Sequence, residues 1–191
     1  GWETNWNPDN RPVIYGDPVE TWDISATEND NVIAELYPDG NMYTLVIRGK
    51  GAIEEYRAEG NWDSPWSENY RSLIKTVVVL SGITHIGRII FGFHNNLTKV
   101  FLANTIKTMG DFVFWDCTNL TEITIPKSVN NIDENLFPGC SSLITINVEN
   151  DNPSCISING HLYSKDKKTL IAAAQGQSNL QINDTTKIIG I

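Results

Sequence analysis

His94, Cys117 and Cys140 stand 23 residues apart, and an imidazole with two thiols is the set in this chain best suited to holding a metal. Zinc takes four ligands that converge tetrahedrally. Three side chains at one fixed repeat project side by side instead, so the spacing favours packed core residues and no metal. The same ladder sets Cys117 and Cys140 about 5 Å apart, one strand spacing, but parallel side-chain directions make the S–S torsion awkward. With Cys155 alone, three cysteines form no secreted disulfide framework, and buried free thiols are expected. Glu54 and Glu55 are adjacent, so in a strand they point to opposite faces and cannot flank a glycosidic bond. The loop Glu149-Asn-Asp-Asn152 lacks the acidic spacing of a calcium loop and reads as solvated turn chemistry. His85 and His161 read as surface or loop residues. Nucleophile elbow and phosphate-cradling glycine loop are both missing, so no catalytic residue, no enzyme activity and no cofactor is expected.

The spacing that lines up those residues runs through the whole second part of the chain. Its columns are Ile74, Leu97, Leu120, Leu143; Val77, Val100, Ile123, Ile146; and Val79, Leu102, Ile125, Val148. Three more follow at the same offset: Ile83, Ile106, Val129; Ile86, Met109, Ile132; and Phe91, Phe114, Phe137. A period of this length means stacked units, each too small to bury its apolar face alone. Within a unit, Leu120, Ile123 and Ile125 lead into the alternation of a strand on a core, with Thr124 facing out. Ile132, Leu136, Phe137 and Cys140 then share one helical face, which predicts a helical turn or short helix. Pro126 and Pro138 break regular structure beside these elements.

Leu120-Thr-Glu-Ile-Thr-Ile-Pro-Lys-Ser-Val-Asn-Asn-Ile-Asp-Glu-Asn-Leu-Phe-Pro-Gly-Cys140 resembles the BspA-type leucine-rich repeats of bacterial and protist surface proteins, whose units look like L-x-x-I-x-I-P, S-V-x-x-I-G and A-F-x-x-C. The resemblance implies an α+β leucine-rich-repeat solenoid of about 23-residue coils, with short parallel strands, short helices or turns, and an N-terminal β-rich capping module. Asn152-Pro153 through Ile158-Asn-Gly-His-Leu-Tyr-Ser-Lys-Asp-Lys-Lys-Thr-Leu-Ile171 is similar to the family's hairpin insertion, placed at about 150–176. Ile182 then answers Val148 and Ile189 answers Ile132, so the chain is expected to stop at Ile191 in mid-repeat. Ile90, Val113 and Leu136 stand where the family usually has Ala, and His94 where it usually has Cys, which suggests a slightly wider coil.

The first 70 residues carry 14 acids against 4 bases, while residues 71–191 carry 9 against 10, so the net charge of −9 lies in the front section. Trp2, Trp6, Trp22, Trp62 and Trp66 lie there too. Residues 1–20 look like a Trp-rich linker, 21–70 like the family's β-rich cap module, and 71–191 like the repeats. Val32 to Leu36 and Tyr43 to Ile47 predict a hairpin across Pro38-Asp39-Gly40. A cap covers the unpaired edge and apolar end of a first coil, and Trp62 and Trp66 are placed to close it. Trp22, Trp62 and Trp66 are also the candidate aromatic platform for stacking sugar rings.

Strand residues facing away from the core make two rows: Thr76, Lys99, Glu122, Thr145 and Val78, Phe101, Thr124, Asn147. These eight are the candidate binding face. Val78 and Phe101 are apolar where solvent favours polar residues, which points either to a covering cap or to a partner site. Lys99 and Glu122 are expected as cross-strand neighbours. The acidic chain has no basic stripe for phosphates, so nucleic acid is not expected, and no run of 18 apolar residues inserts in a membrane. The resemblance implies a cell-surface or secreted, adhesin-like protein-binding module, with a protein partner on a host or neighbouring cell. A glycan-binding module and a structural spacer are the alternatives.

Overall fold

The computed structural model describes residue 14 and residues 16–56, 64–132 and 135–189. Trp62, with Trp2 and Trp6, lies outside the described residues. Three strands lead: β1 (Glu20–Asp23), β2 (Asn31–Asp39) and β3 (Met42–Ala52). β2 and β3 pair antiparallel over nine residues, from Asn31 with Lys50 to Asp39 with Met42, and Gly40 turns the chain with φ +67°, a conformation a Cβ disfavours. Helix α1 (Ser67–Tyr70) follows.

The repeats contribute two strands per coil. The outer ones are β4 (Ile74–Val79), β6 (Lys99–Leu102), β8 (Glu122–Ile125) and β10 (Thr145–Val148), alternating with β5 (Ile83–Ile86), β7 (Thr108–Met109) and β9 (Asn131–Ile132). β3 bends across both sets. Its first part pairs parallel with β4, and its end pairs parallel with β5, so the leading sheet supplies the ladder neighbour that the first coil lacks. Ile24, Leu36, Leu45 and Ile47 then continue the core made by the repeat columns. Ile74, Leu97, Leu120 and Leu143 are fully buried in one file, as are Phe91 and Phe114 with Phe137 beside them at 3% exposure.

Of the helical turn or short helix expected after Ile132, the described residues 135–140 show a bend and a turn and no helix, and α1 is the lone helix among the described residues. The corresponding turns of the two earlier coils explain this. Ile89 and Phe112 have φ of 61° and 59°, and Phe93, Asp116 and Gly139 have 62°, 52° and 75°. Left-handed residues at both ends of the turn break helical geometry, while the apolar face is buried all the same.

After β10 the chain forms β11 (Cys155–Ile158), β12 (His161–Ser164), β13 (Thr169–Ala172) and β14 (Ile188–Ile189). The first three are antiparallel neighbours and β14 pairs parallel with β13. Ile182 is in no strand and is 41% exposed, so it does not extend the column of Val148. Ile189 lies in β14, whose ladder partner is Leu170 of β13 in a separate sheet from β9, and is 53% exposed, so it does not extend the column of Ile132. His161 is buried, not a surface residue, and its Nδ1 accepts from the Ala174 N–H at 3.0 Å.

Candidate protein-binding face

The outward residues of the leading sheet satisfy one another. Arg48 donates through Nε and Nη2 to the Glu35 carboxylate at 2.8 and 2.6 Å, and the Tyr37 hydroxyl donates to the same carboxylate at 3.0 Å. The Arg48 bonds, opposed by burial, hold the Glu35 carboxyl below its ordinary range. Beside them Tyr37, Val46 and Val78 form a buried apolar cluster, with Ile14, Leu80 and Phe101 packed around it. Thr76 and Val78 are only 4% and 3% exposed. Neighbours from the leading sheet cover them, and the accessible part of the two rows begins at Lys99 and Phe101.

From there the face is not a continuous sheet. β6 pairs with β4 in register, Thr76 with Lys99 to Val79 with Leu102, and β8 pairs with β10, Glu122 with Thr145 to Ile125 with Val148. Among the described residues no ladder joins β6 to β8. Lys99 and Glu122 are therefore not paired across strands. Glu122 instead accepts from Asn147 Nδ2 at 3.1 Å. Between the two strands lies an open groove of about 570 Å³. Lys99 and Phe101 line one wall, and Glu122 and Thr124 the other, with Val100, Leu102 and Ile123 also reaching it. Glu149 spans one end, accepting from Asn104 Nδ2 at 3.2 Å and from the Lys127 N–H at 3.0 Å. Thr145 and Asn147 follow on β10, both half-buried.

The aromatic residues of the front section are used differently. Trp66 is fully buried, stacked at 6.5 Å on Phe91, and its indole N–H donates to His94 Nε2 at 2.9 Å. Trp22 is half-buried against Trp66 and Tyr70, with ring centroids 5.7 and 6.1 Å away. Trp66 thus presents no ring to a sugar. In the column of His94, Cys117 Sγ donates to the Phe91 carbonyl at 3.1 Å and Cys140 Sγ to that of Phe114 at 3.0 Å. These donors point at backbone, not at a common centre. Burial raises both thiols, Cys140 to about 12. All three cysteines are free and buried.

The model of the BspA-type leucine-rich repeat region matches residues 68–189 in six copies. The chain belongs to this family. No curated protein matches it. Among solved structures it is similar to a leucine-rich repeat protein of Eubacterium ventriosum, at 26% identity over 89% of this chain and 56% of that one, TM-score 0.47. A leucine-rich cell surface protein of Faecalibacterium prausnitzii is 29% identical over 54% of this chain and 27% of that one, TM-score 0.49. The pneumococcal vaccine antigen PcpA is 18% identical over 92% of this chain and 62% of that one, TM-score 0.50, a likeness of fold. This chain therefore spans less than two thirds of each.

For a BspA-type repeat, then, the structure brings four of the eight face residues together around one groove and buries Thr76 and Val78 beside β3, next to Thr44 and Val46. Sequence reasoning missed Asn104 and Glu149, which sit in turns of different coils, 45 residues apart and off the 23-residue register. It also missed the groove itself, because the β6 and β8 sequences carry the same apolar columns as their paired neighbours.

Proposed function

We propose that this chain is a non-enzymatic protein-recognition module of a cell-surface or secreted, adhesin-like protein, binding a protein on a host or neighbouring cell through the outer strands of its coils. The groove between β6 and β8 carries this reading, since it combines aliphatic side chains, an aromatic ring and charges of both signs. Family membership supports it, as BspA-type repeats resemble interaction modules. A purely structural spacer would call for a uniformly polar face, whereas Phe101, Val100 and Leu102 are partly exposed. The leading sheet acts as the cap, and a glycan platform has lost the ring of Trp66 to the core.

The test is binding of the labelled chain to intact epithelial cells and to a panel of purified extracellular-matrix proteins, compared with the variant Lys99→Glu, Phe101→Ser, Glu122→Lys. Lys99 and Glu122 are exposed and Phe101 is half-buried against the Tyr37–Val46–Val78 cluster, so the variant should keep the wild-type circular dichroism, with a somewhat lower melting temperature from the lost Phe101 packing, while losing at least tenfold in affinity. Unchanged binding by a folded variant would remove this face from the account.

A further inference from the structure

The parting of β6 from β8 is local. On the second strand set β7 and β9 remain paired, Thr108 with Asn131 and Met109 with Ile132. Along the turns Phe112 N donates to Asn135 O at 2.7 Å, Phe114 N to Leu136 O at 3.0 Å and Asp116 N to Pro138 O at 2.8 Å. Two sides of the coil interface are therefore laddered and the third is open.

That opening leaves two kinds of unsatisfied group side by side. The facing edges of β6 and β8 lack strand partners, a state that favours pairing with another chain. Val100 and Leu102 are half-buried, whereas the members of their columns one coil before and one coil after, Val77, Val79, Ile123 and Ile125, are at most 1% exposed; Val148, at the end of the second column, is half-buried too. A ligand that completes this site needs N–H and C=O groups at the strand repeat of about 3.3 Å, together with apolar side chains at every second residue. An extended polypeptide offers both, whereas a sugar has no such backbone.

We propose that the groove receives an extended segment of the partner protein, which adds as a strand between β6 and β8 by main-chain hydrogen bonds. Its inward residues complete the apolar floor at Val100, Leu102 and Ile123, and its outward residues lie between Lys99 and Phe101 on one side and Glu122 and Thr124 on the other. An inserted strand needs flanking strands about 9.6 Å apart, twice the sheet spacing, so the coils part further on the outer side and the β7–β9 ladder serves as the hinge. This rests on the outer strands being the partner-binding surface and adds how the partner is held.

Amide hydrogen exchange and a synthetic peptide test it on the whole chain. The probe has the sequence of Thr121 to Ile125 flanked by lysines, a strand already compatible with these columns. In the free protein, edge amides of β6 and β8 should exchange at least tenfold faster than those of β4, and peptide should slow them by at least tenfold. A peptide N-methylated at alternate residues should bind at least tenfold more weakly. Equal protection of β6, β8 and β4 in the free chain, absence of peptide binding, or equal binding of the N-methylated peptide would each overturn strand addition. The cell-binding loss of the triple side-chain variant does not depend on these results, so the two readings fail separately.

Discussion

His94 shows how one side chain ends a repeating column. Cys117 and Cys140 each donate to the phenylalanine carbonyl one coil earlier, but at His94 the preceding layer is the leading sheet with Trp66. An indole N–H can only donate, so His94 Nε2 must accept, and the proton sits on Nδ1, which donates to Gly92 O at 2.8 Å. The imidazole is thus held neutral, and burial, aided by the nearby Arg71 charge, lowers its pKa to about 4. Because the unfolded state takes up the proton first, this group's stabilisation is complete above about pH 6.5 and is lost as pH falls towards 4. Urea unfolding should show roughly 3 kcal/mol lost across that window, with a slope near 1.4 kcal/mol per pH unit. His94→Cys, which restores the column's usual residue, should remove most of that slope and leave the contribution of His161, whose pKa burial also lowers; an unchanged slope in the variant would assign the acid sensitivity to other groups. The sequence shows His94 as a departure from the column, but its bond to Trp66 was not legible, because Trp66 lies outside the repeat register.

At the scale of elements, the strand columns were legible because burial on one face imposes a period of two within a strand and of 23 between coils. The turns were not. Leu136, Phe137 and Cys140 bury the same side in a turn as they would in a helix, and only backbone angles separate the two. The junction of leading sheet and first coil depends on such an angle. Gly82 has φ +111°, and a Cβ there would stand 2.1 Å from the Gly49 carbonyl oxygen. Gly51 N also donates to Gly82 O at 3.1 Å, so neither backbone can withdraw without breaking a hydrogen bond. Gly82→Ala therefore has both a disfavoured backbone and a clash to relieve, and should destabilise by about 2 kcal/mol or more in urea unfolding. A change under about 0.5 kcal/mol would mean that β3 and β5 can separate without consequence.

For the whole molecule, a stack of coils is as cooperative as its weakest interface, since each unit touches only its neighbours. The interface between the coils of β6 and β8 lacks its outer ladder, while the leading sheet is bound to the first coil through both parts of β3. The far part, from β8 to β14, should therefore open at a lower free energy than the part containing β2, β3 and β4. The tryptophans provide a direct readout, because all six lie at or before residue 115 and none reports on the far coils. Far-ultraviolet circular dichroism, which sees every strand, should begin its urea transition before tryptophan fluorescence does. A strand added between β6 and β8 would rebuild the missing ladder and bring the two curves together. Coincident transitions in the free chain would instead show that the laddered second strands and turns alone couple the coils into one cooperative unit.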